Sequence, residues 1–170
     1  LIVDFVVIAL CAAVAGIATG VGVNQDYAAH QLDLSLTIAG IAFGNAGCGA
    51  VHALSYAHGG AFHIPHGEAN FICFTEVFKM YQKKQPVGKI QEVNKLFCDV
   101  LGCDEAAVYE ELDAFLGKIL TKQPLKEYGM TEDQVAPFAK STVDNQQRLL
   151  GNNYVELSEA EIAEIFQNLY

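Results

Sequence analysis

The first charge-free stretch of the chain runs from Phe5 to Val23 and reads FVVIALCAAVAGIATGVGV. Its nineteen residues are long enough to cross a bilayer. However, Asp4 borders the stretch, and no Lys or Arg flanks either end, as a signal peptide or a membrane anchor would require. The frequent Gly, Ala and Thr equally suit close packing inside a protein. We favour a buried segment over a membrane span and treat residues 1–26 as an apolar N-terminal segment of unassigned origin.

From residue 27 onward the hydrophobic pattern predicts helices. The Ala-, Leu- and Ile-rich stretch 27–57 predicts a long, mostly buried helix, in which repeated Gly indicates close packing, a binding surface or a break. The stretch GGAFHIPHG, residues 59–67, predicts a loop. Ser158 with Glu161 forms a capping box, and Pro137 predicts a kink or a division of its helix. Apolar residues recur at helical spacing in the segments 67–84, 89–102, 105–120, 132–150 and 159–170.

These elements predict an all-α fold, a helical bundle over residues 27–170. No Gly-rich phosphate loop follows a strand, so no dinucleotide-binding fold is visible in the 170 residues. The net charge of -10 argues against a nucleic-acid-binding protein, because few basic groups would neutralise a phosphate backbone. The five Cys lack a repeated C-x-x-C, which favours reduced thiols and a cytoplasmic location.

Four histidines, His52, His58, His63 and His66, fall within fifteen positions. The pattern places His52 near the end of the long helix and His66 at the start of the next, on either side of the predicted loop. This arrangement can bring two imidazoles to one divalent metal ion, and Fe, Zn, Ni and Cu suit such ligands alike. Hydrogen-bonded core histidines and a weak, adventitious surface site are alternatives of equal weight.

Two histidines do not complete a catalytic metal site, which commonly has three protein ligands. Asp26 and His30 lie four positions apart and would share a helix face, so they are a candidate second pair of ligands. This spacing is also common by chance.

The stretch AGIAFGNAGCGAVHALSYAHGGAFHIPHGEAN resembles the signature of the iron-dependent alcohol dehydrogenase family, and the resemblance extends over residues 29–170. Within the family, the segments HALSY, HGEANFICFTEVFK and QQRLLGNNYVELS most resemble 4-hydroxybutyrate dehydrogenases. The resemblance implies a helical C-terminal domain that binds a metal in the cleft beside an N-terminal NAD(P)-binding domain. On this reading the nucleotide-binding domain is absent from the chain.

The resemblance also implies roles for particular residues. The family holds its metal, typically Fe2+ with Zn2+ as an alternative, through a D-x-x-x-H pair and two further histidines, which His52 and His66 match. Asp26 and His30 copy the spacing of the pair but lie closer to His52 than it does in the family. Tyr56 stands where many members carry a His that faces the nicotinamide, and we expect it to take a catalytic role in proton transfer.

We therefore expect a fragment of a metal-dependent oxidoreductase that moves a hydride between NAD(P) and a short-chain alcohol or aldehyde, with 4-hydroxybutyrate and succinate semialdehyde as the expected pair. The isolated chain should be inactive, because the missing domain would bind most of the NAD(P), and the full-length parent should be a homo-oligomer. His58 and His63 match no ligand position and are expected to be loop residues that line the cleft. The alternative is an inactive helical remnant, tethered to a membrane through residues 5–23, with a weak two-histidine site.

Overall fold

The computed structural model describes residues 37, 40–41 and 44–170. The chain divides into two compact units, residues 1–47 and 48–170, and the second is described here by itself. The predicted apolar segment, together with Asp26 and His30, lies outside the described residues. The α-helices of the second unit are α1 (Ala50–Phe62), α2 (His66–Lys84), α3 (Lys89–Leu101), α4 (Val108–Leu116), α5 (Val135–Asn145), α6 (Gln147–Leu150) and α7 (Glu159–Leu169).

Four of these helices enclose the core of the second unit. Helix α1 packs against α2 and α5, and α7 closes the group by packing against both α2 and α5. Helices α3 and α4 pack against each other and against the outer part of α2. The apolar side chains that these contacts bury completely include Leu54, Ile72, Phe78, Leu112 and Phe166. No strand occurs among the described residues, so the predicted all-α fold is confirmed there.

The long helix predicted over residues 27–57 is not continuous. Residues 44–46 are helical, whereas residues 47–49 are not, and Gly47 adopts a φ of 71° that only glycine takes readily. Helix α1 therefore starts afresh at Ala50. As a result His52 lies in the first turn of a helix, and the prediction that placed it near a helix end is wrong.

The loop predicted over residues 59–67 is also much shorter than expected. Gly59 and Gly60 belong to α1, and only residues 63–65 separate α1 from α2. Gly59 has a packing reason for lacking a side chain, since a Cβ there would lie 3.2 Å from the Cβ of Ala69 on α2. Gly59 therefore permits a close approach of α1 and α2, and the prediction of a loop at this position is wrong.

Two further sequence signals have clear outcomes. The capping box of Ser158 and Glu161 is present at the start of α7. The prediction that Pro137 kinks or divides its helix is wrong: the segment 132–150 is interrupted before Val135 and at Gln146, and Pro137 lies in the first turn of α5, where its missing N–H leaves no helical hydrogen bond unmade. No helix among the described residues has the length and apolar character needed to cross a membrane.

Candidate metal centre

The two histidines that match the family motif lie side by side in the second unit. His52 is the third residue of α1, and His66 is the first residue of α2. The centroids of their rings are 5.3 Å apart, and the ring planes are inclined by 53°. Two imidazoles at this separation can direct one nitrogen each towards a shared ion, because zinc and similar metals sit about 2 Å from each histidine nitrogen.

A short turn between α1 and α2 explains how residues fourteen positions apart meet. His63 ends α1 in the left-handed conformation, with φ 54°, and the next N–H, that of Ile64, donates to the Gly59 carbonyl at 3.1 Å. Pro65 then starts α2 with a fixed backbone, as proline does well before a helix. The chain thus folds back along α1, and the first turn of α2 lies beside His58 and Gly59 in the second half of α1, from where the His66 side chain reaches the rings of Tyr56 and His52.

Tyr56 completes a group of three rings with the two histidines. It lies one helical turn after His52, and its ring stacks on that of His66 with centroids 5.8 Å apart and planes inclined by 22°. The contact with His52 is edge-on, at 6.4 Å. Tyr56 is 44% exposed, so its phenol is open to solvent while its ring covers the face of His66.

Asn70 packs against His66 one turn further along α2. Its Nδ2 donates to the His66 carbonyl at 2.8 Å and lies 3.2 and 3.4 Å from the two ring nitrogens. An atom at nearly equal distances from both nitrogens faces the ring and is aligned with neither lone pair. The Asn70 Oδ1 is buried and has no hydrogen-bond partner among the described residues.

The environment of His52 favours a neutral ring. Partial burial lowers its pKa below the usual value, and the positive charge that His66 can carry lowers it further. A neutral imidazole keeps the lone pair that a metal ion requires, whereas a protonated one does not. The lowered pKa thus favours the form of His52 that can bind a metal ion.

The other two histidines of the cluster do not join this group, and the expectation that both line the cleft as loop residues is wrong for His58. His58 lies within α1, is fully buried, and its Nε2 is 3.2 Å from the Ala69 carbonyl oxygen. It follows His52 by six positions, which places it about 240° around the helix. His63 is exposed at the end of α1.

Within the described part of the chain, no group of three His, Cys, Asp or Glu side chains is arranged to hold a metal. The observed residues thus fit one side of a metal site through His52 and His66. The second candidate pair, Asp26 and His30, lies outside the described residues, so its prediction stays a prediction.

The chain resembles known proteins over nearly its whole length. A sequence model of the Fe-containing alcohol dehydrogenase family, C-terminal, matches residues 2–170. The chain is 49% identical over 150 residues to 4-hydroxybutyrate dehydrogenase of Clostridium kluyveri, which covers 86% of this chain and 40% of that protein. It is 32% identical over 136 residues to long-chain-alcohol dehydrogenase 1 of Geobacillus thermodenitrificans, which covers 76% of this chain and 34% of that protein.

A solved structure has the same fold. An archaeal halo-thermophilic alcohol dehydrogenase from a Red Sea brine pool aligns with a TM-score of 0.77 at 18% identity, over 99% of this chain and 44% of that one. The chain spans less than half the length of each of these relatives. The family match includes the apolar segment from residue 2 onward, which the sequence motif left unassigned.

Proposed function

Because the chain belongs to the Fe-containing alcohol dehydrogenase family, we propose that it supplies two imidazole ligands to the metal of an NAD(P)-dependent dehydrogenase. The observation that carries the proposal is the pairing of His52 and His66, with ring centroids 5.3 Å apart at the two positions that match the family motif. Fe2+ is the expected ion, with Zn2+ as the alternative, because both accept neutral imidazole.

The reaction we propose is the reversible oxidation of a short-chain alcohol to its aldehyde. Bound at the site, the ion would supply Lewis-acid polarisation of the substrate oxygen, and the nicotinamide would exchange the hydride. His52 and His66 hold the ion through ring nitrogens, and the lowered pKa of His52 keeps one of them unprotonated. The exposed phenol of Tyr56, beside both rings, can donate a hydrogen bond to the substrate oxygen or pass a proton to water.

The proposed substrate pair is 4-hydroxybutyrate and succinate semialdehyde. It is supported by the 49% identity to the Clostridium kluyveri 4-hydroxybutyrate dehydrogenase, which is well above the 32% to the long-chain-alcohol dehydrogenase. A cytoplasmic location is part of the same proposal, because the cysteines in the described part of the chain are free thiols. We also propose that the full-length parent is a homo-oligomer.

Metal binding by the purified chain tests the site directly. Zn2+ affinity is measured by competition with a chromophoric chelator for the wild-type chain, His52→Ala and His66→Ala. Each variant should lose at least tenfold in affinity, because even the partners of a ligand are worth about 10- to 100-fold.

The matched control is His63→Asn, which removes an exposed histidine from the same segment. Asn tolerates the left-handed backbone of this position, with φ 54°, so the variant should fold and bind Zn2+ as the wild type does. Equal affinity in the wild type, His52→Ala and His66→Ala would contradict the proposal, as would the absence of any binding by the wild type. The second result would favour the inactive helical remnant.

A further inference from the structure

The first turn of α1, which carries His52, is held by a loop from the other end of the sequence. The Ala50 N–H donates to the Asn153 Oδ1 at 3.1 Å, across 103 positions of sequence. Next to it, the Asn152 Nδ2 donates to the Cys48 carbonyl at 3.2 Å. Two adjacent asparagines thus bind the backbone on both sides of Gly49, where the helix starts.

Helix α1 depends on this contact because it lacks a cap of its own. Its N-cap residue is Gly49, which has no side chain to accept from the free N–H groups, and its first turn contains no acidic residue. A buried helix end without such partners would be costly, and Ala50 is fully buried. Asn153, in a loop distant in sequence, therefore accepts a hydrogen bond from the start of α1, as the side chain of a Ser or Asp at the N-cap position usually does.

Asn153 is itself fixed from two sides. Its Oδ1 also accepts a hydrogen bond from the hydroxyl of Tyr81, which is buried on α2. Its Nδ2 donates to the Val155 carbonyl at 2.8 Å. Because every hydrogen-bonding atom of the amide has a partner, the side chain has one orientation, and the start of α1 is set against α2.

We propose that Asn153 is a positioning residue for the metal centre. It sets the first turn of α1 relative to α2, and thereby the distance between the rings of His52 and His66. The described hydrogen bonds of the Asn153 side chain go to Ala50, Tyr81 and Val155, so its effect on the metal passes through the helix backbone. The inference rests on the proposed function, because it requires that both histidines hold the ion.

The test separates the loss of this contact from a general loss of stability. Asn153→Ala removes the acceptor, and Asn153→Asp keeps an acceptor for both donors while carrying a charge that suits a helix start. Val93→Ala is the control, since it truncates a fully buried side chain on α3 and should lower the stability without touching α1. The measurements are Zn2+ affinity, the visible spectrum of bound Co2+ and the midpoint of thermal unfolding.

We expect Asn153→Ala to bind Zn2+ about tenfold more weakly and to change the Co2+ spectrum, as the loss of a supporting contact does at other metal sites. Asn153→Asp should recover most of the Zn2+ affinity and of the Co2+ spectrum, because it keeps the acceptor and loses only the donor to the Val155 carbonyl. Val93→Ala should leave both unchanged despite its lower unfolding midpoint. If Asn153→Ala does not fold, Tyr81→Phe should show a smaller loss in the same direction.

Two results would overturn the inference in distinguishable ways. Wild-type affinity and spectrum in Asn153→Ala, or an affinity loss no larger than that of Val93→Ala, would refute the positioning role and leave the metal site intact. No Zn2+ or Co2+ binding by the wild-type chain would refute the proposed function and the positioning role together.

Discussion

The imidazole of His58 joins α1 to α2 in the interior of the second unit. Its Nε2 lies 3.2 Å from the Ala69 carbonyl oxygen, and its ring meets that of Phe166 edge-on at 6.1 Å between centroids. Burial lowers the pKa of His58 more strongly than its backbone hydrogen bonds to Ala69 and Leu54 raise it. The folded chain therefore keeps this ring neutral in conditions where the unfolded chain protonates it.

This difference predicts a loss of stability in mild acid. The folded pKa lies below the unfolded value, so above about pH 6.5 both states are neutral and His58 contributes no pH dependence. Below that pH the unfolded state takes up the proton first, and the free energy of unfolding should fall by up to about 1.4 kcal/mol per pH unit until the folded pKa is reached. Urea unfolding of the wild type and His58→Gln between pH 8 and pH 5 measures the difference.

Gln keeps a donor for the Ala69 carbonyl but does not titrate, so the pH dependence of His58→Gln should be flatter than that of the wild type. His63→Asn, which removes an exposed histidine, should retain the wild-type slope. Parallel curves for the wild type and His58→Gln would show that the buried ring does not carry the effect.

At the scale of the element, the start of α7 shows how a local signal and a distant contact reinforce each other. The Glu161 N–H donates to Ser158 Oγ at 3.3 Å, and the Glu161 carboxylate accepts from the Ser158 N–H at 2.7 Å. Lys84, at the end of α2, reaches the same carboxylate at 2.9 Å. This lysine, followed by the Ser158 N–H, lowers the pKa of Glu161 to about 2.

Removal of the cap should therefore weaken the domain. Ser158→Ala deletes the oxygen that accepts from the first turn, and we expect a loss of about 1 kcal/mol in the free energy of unfolding, measured with urea at pH 7. Ser141→Ala is the matched control, because Ser141 is exposed in the interior of α5 and caps no helix. A loss in Ser158→Ala no larger than that in Ser141→Ala would show that the capping box contributes nothing to stability.

The elements that could be predicted from sequence are those set by residues near one another in the chain. The spacing of Ile90, Val93 and Phe97 predicts α3, and all three are buried. The repeated Gly in the stretch 27–57 indicates close packing, a binding surface or a break, and the sequence does not choose among these three. Helix propensity does not indicate which glycine, here Gly47, adopts a positive φ.

In the candidate site, too, local sequence predicts some features, whereas contacts between distant parts of the chain are not predictable. The residue types and the family motif predict His52, His66 and Tyr56, whose rings lie together in the structure. The core position of His58 could have been suspected because it lies on a different face of the helix from His52. The contact of Asn153 with Ala50 could not be predicted, because it joins parts of the chain 103 positions apart and follows no periodic pattern.

At the scale of the whole molecule, the alignments cover most of this chain but less than half of each known enzyme. The match covers 86% of this chain but 40% of the Clostridium kluyveri 4-hydroxybutyrate dehydrogenase. Under the proposed function, helices in the described part would supply two metal ligands, and the reaction also needs further ligands and a nicotinamide site. Activity is therefore best tested with the chain in the context of a complete enzyme.

A chimera provides that context. Residues 2–170, which match the C-terminal model of the family, replace the corresponding domain of the Clostridium kluyveri enzyme, and NAD-linked oxidation of 4-hydroxybutyrate and 1-butanol is measured. We expect a higher kcat/KM for 4-hydroxybutyrate, and a loss of at least about a hundredfold on His52→Ala or His66→Ala, because Lewis-acid stabilisation is worth several kcal/mol. The isolated chain should show little turnover.

The outcomes separate the parts of the proposal. A preference of the chimera for 1-butanol would contradict the proposed substrate but not the metal site. Turnover by the isolated chain equal to that of the chimera would contradict its expected inactivity. The His63→Asn chimera should behave as the wild-type chimera does.

The length of the turn formed by residues 63–65 determines where His66 lies relative to His52. Because only these three residues join α1 to α2, an insertion would shift the start of α2 and move His66 from its place beside His52. Within the turn, His63 and Pro65 have backbone requirements of their own, and the side chain of Ile64 is buried. Related chains that bind metal in this way should therefore keep both the length of this turn and an apolar side chain at its middle position.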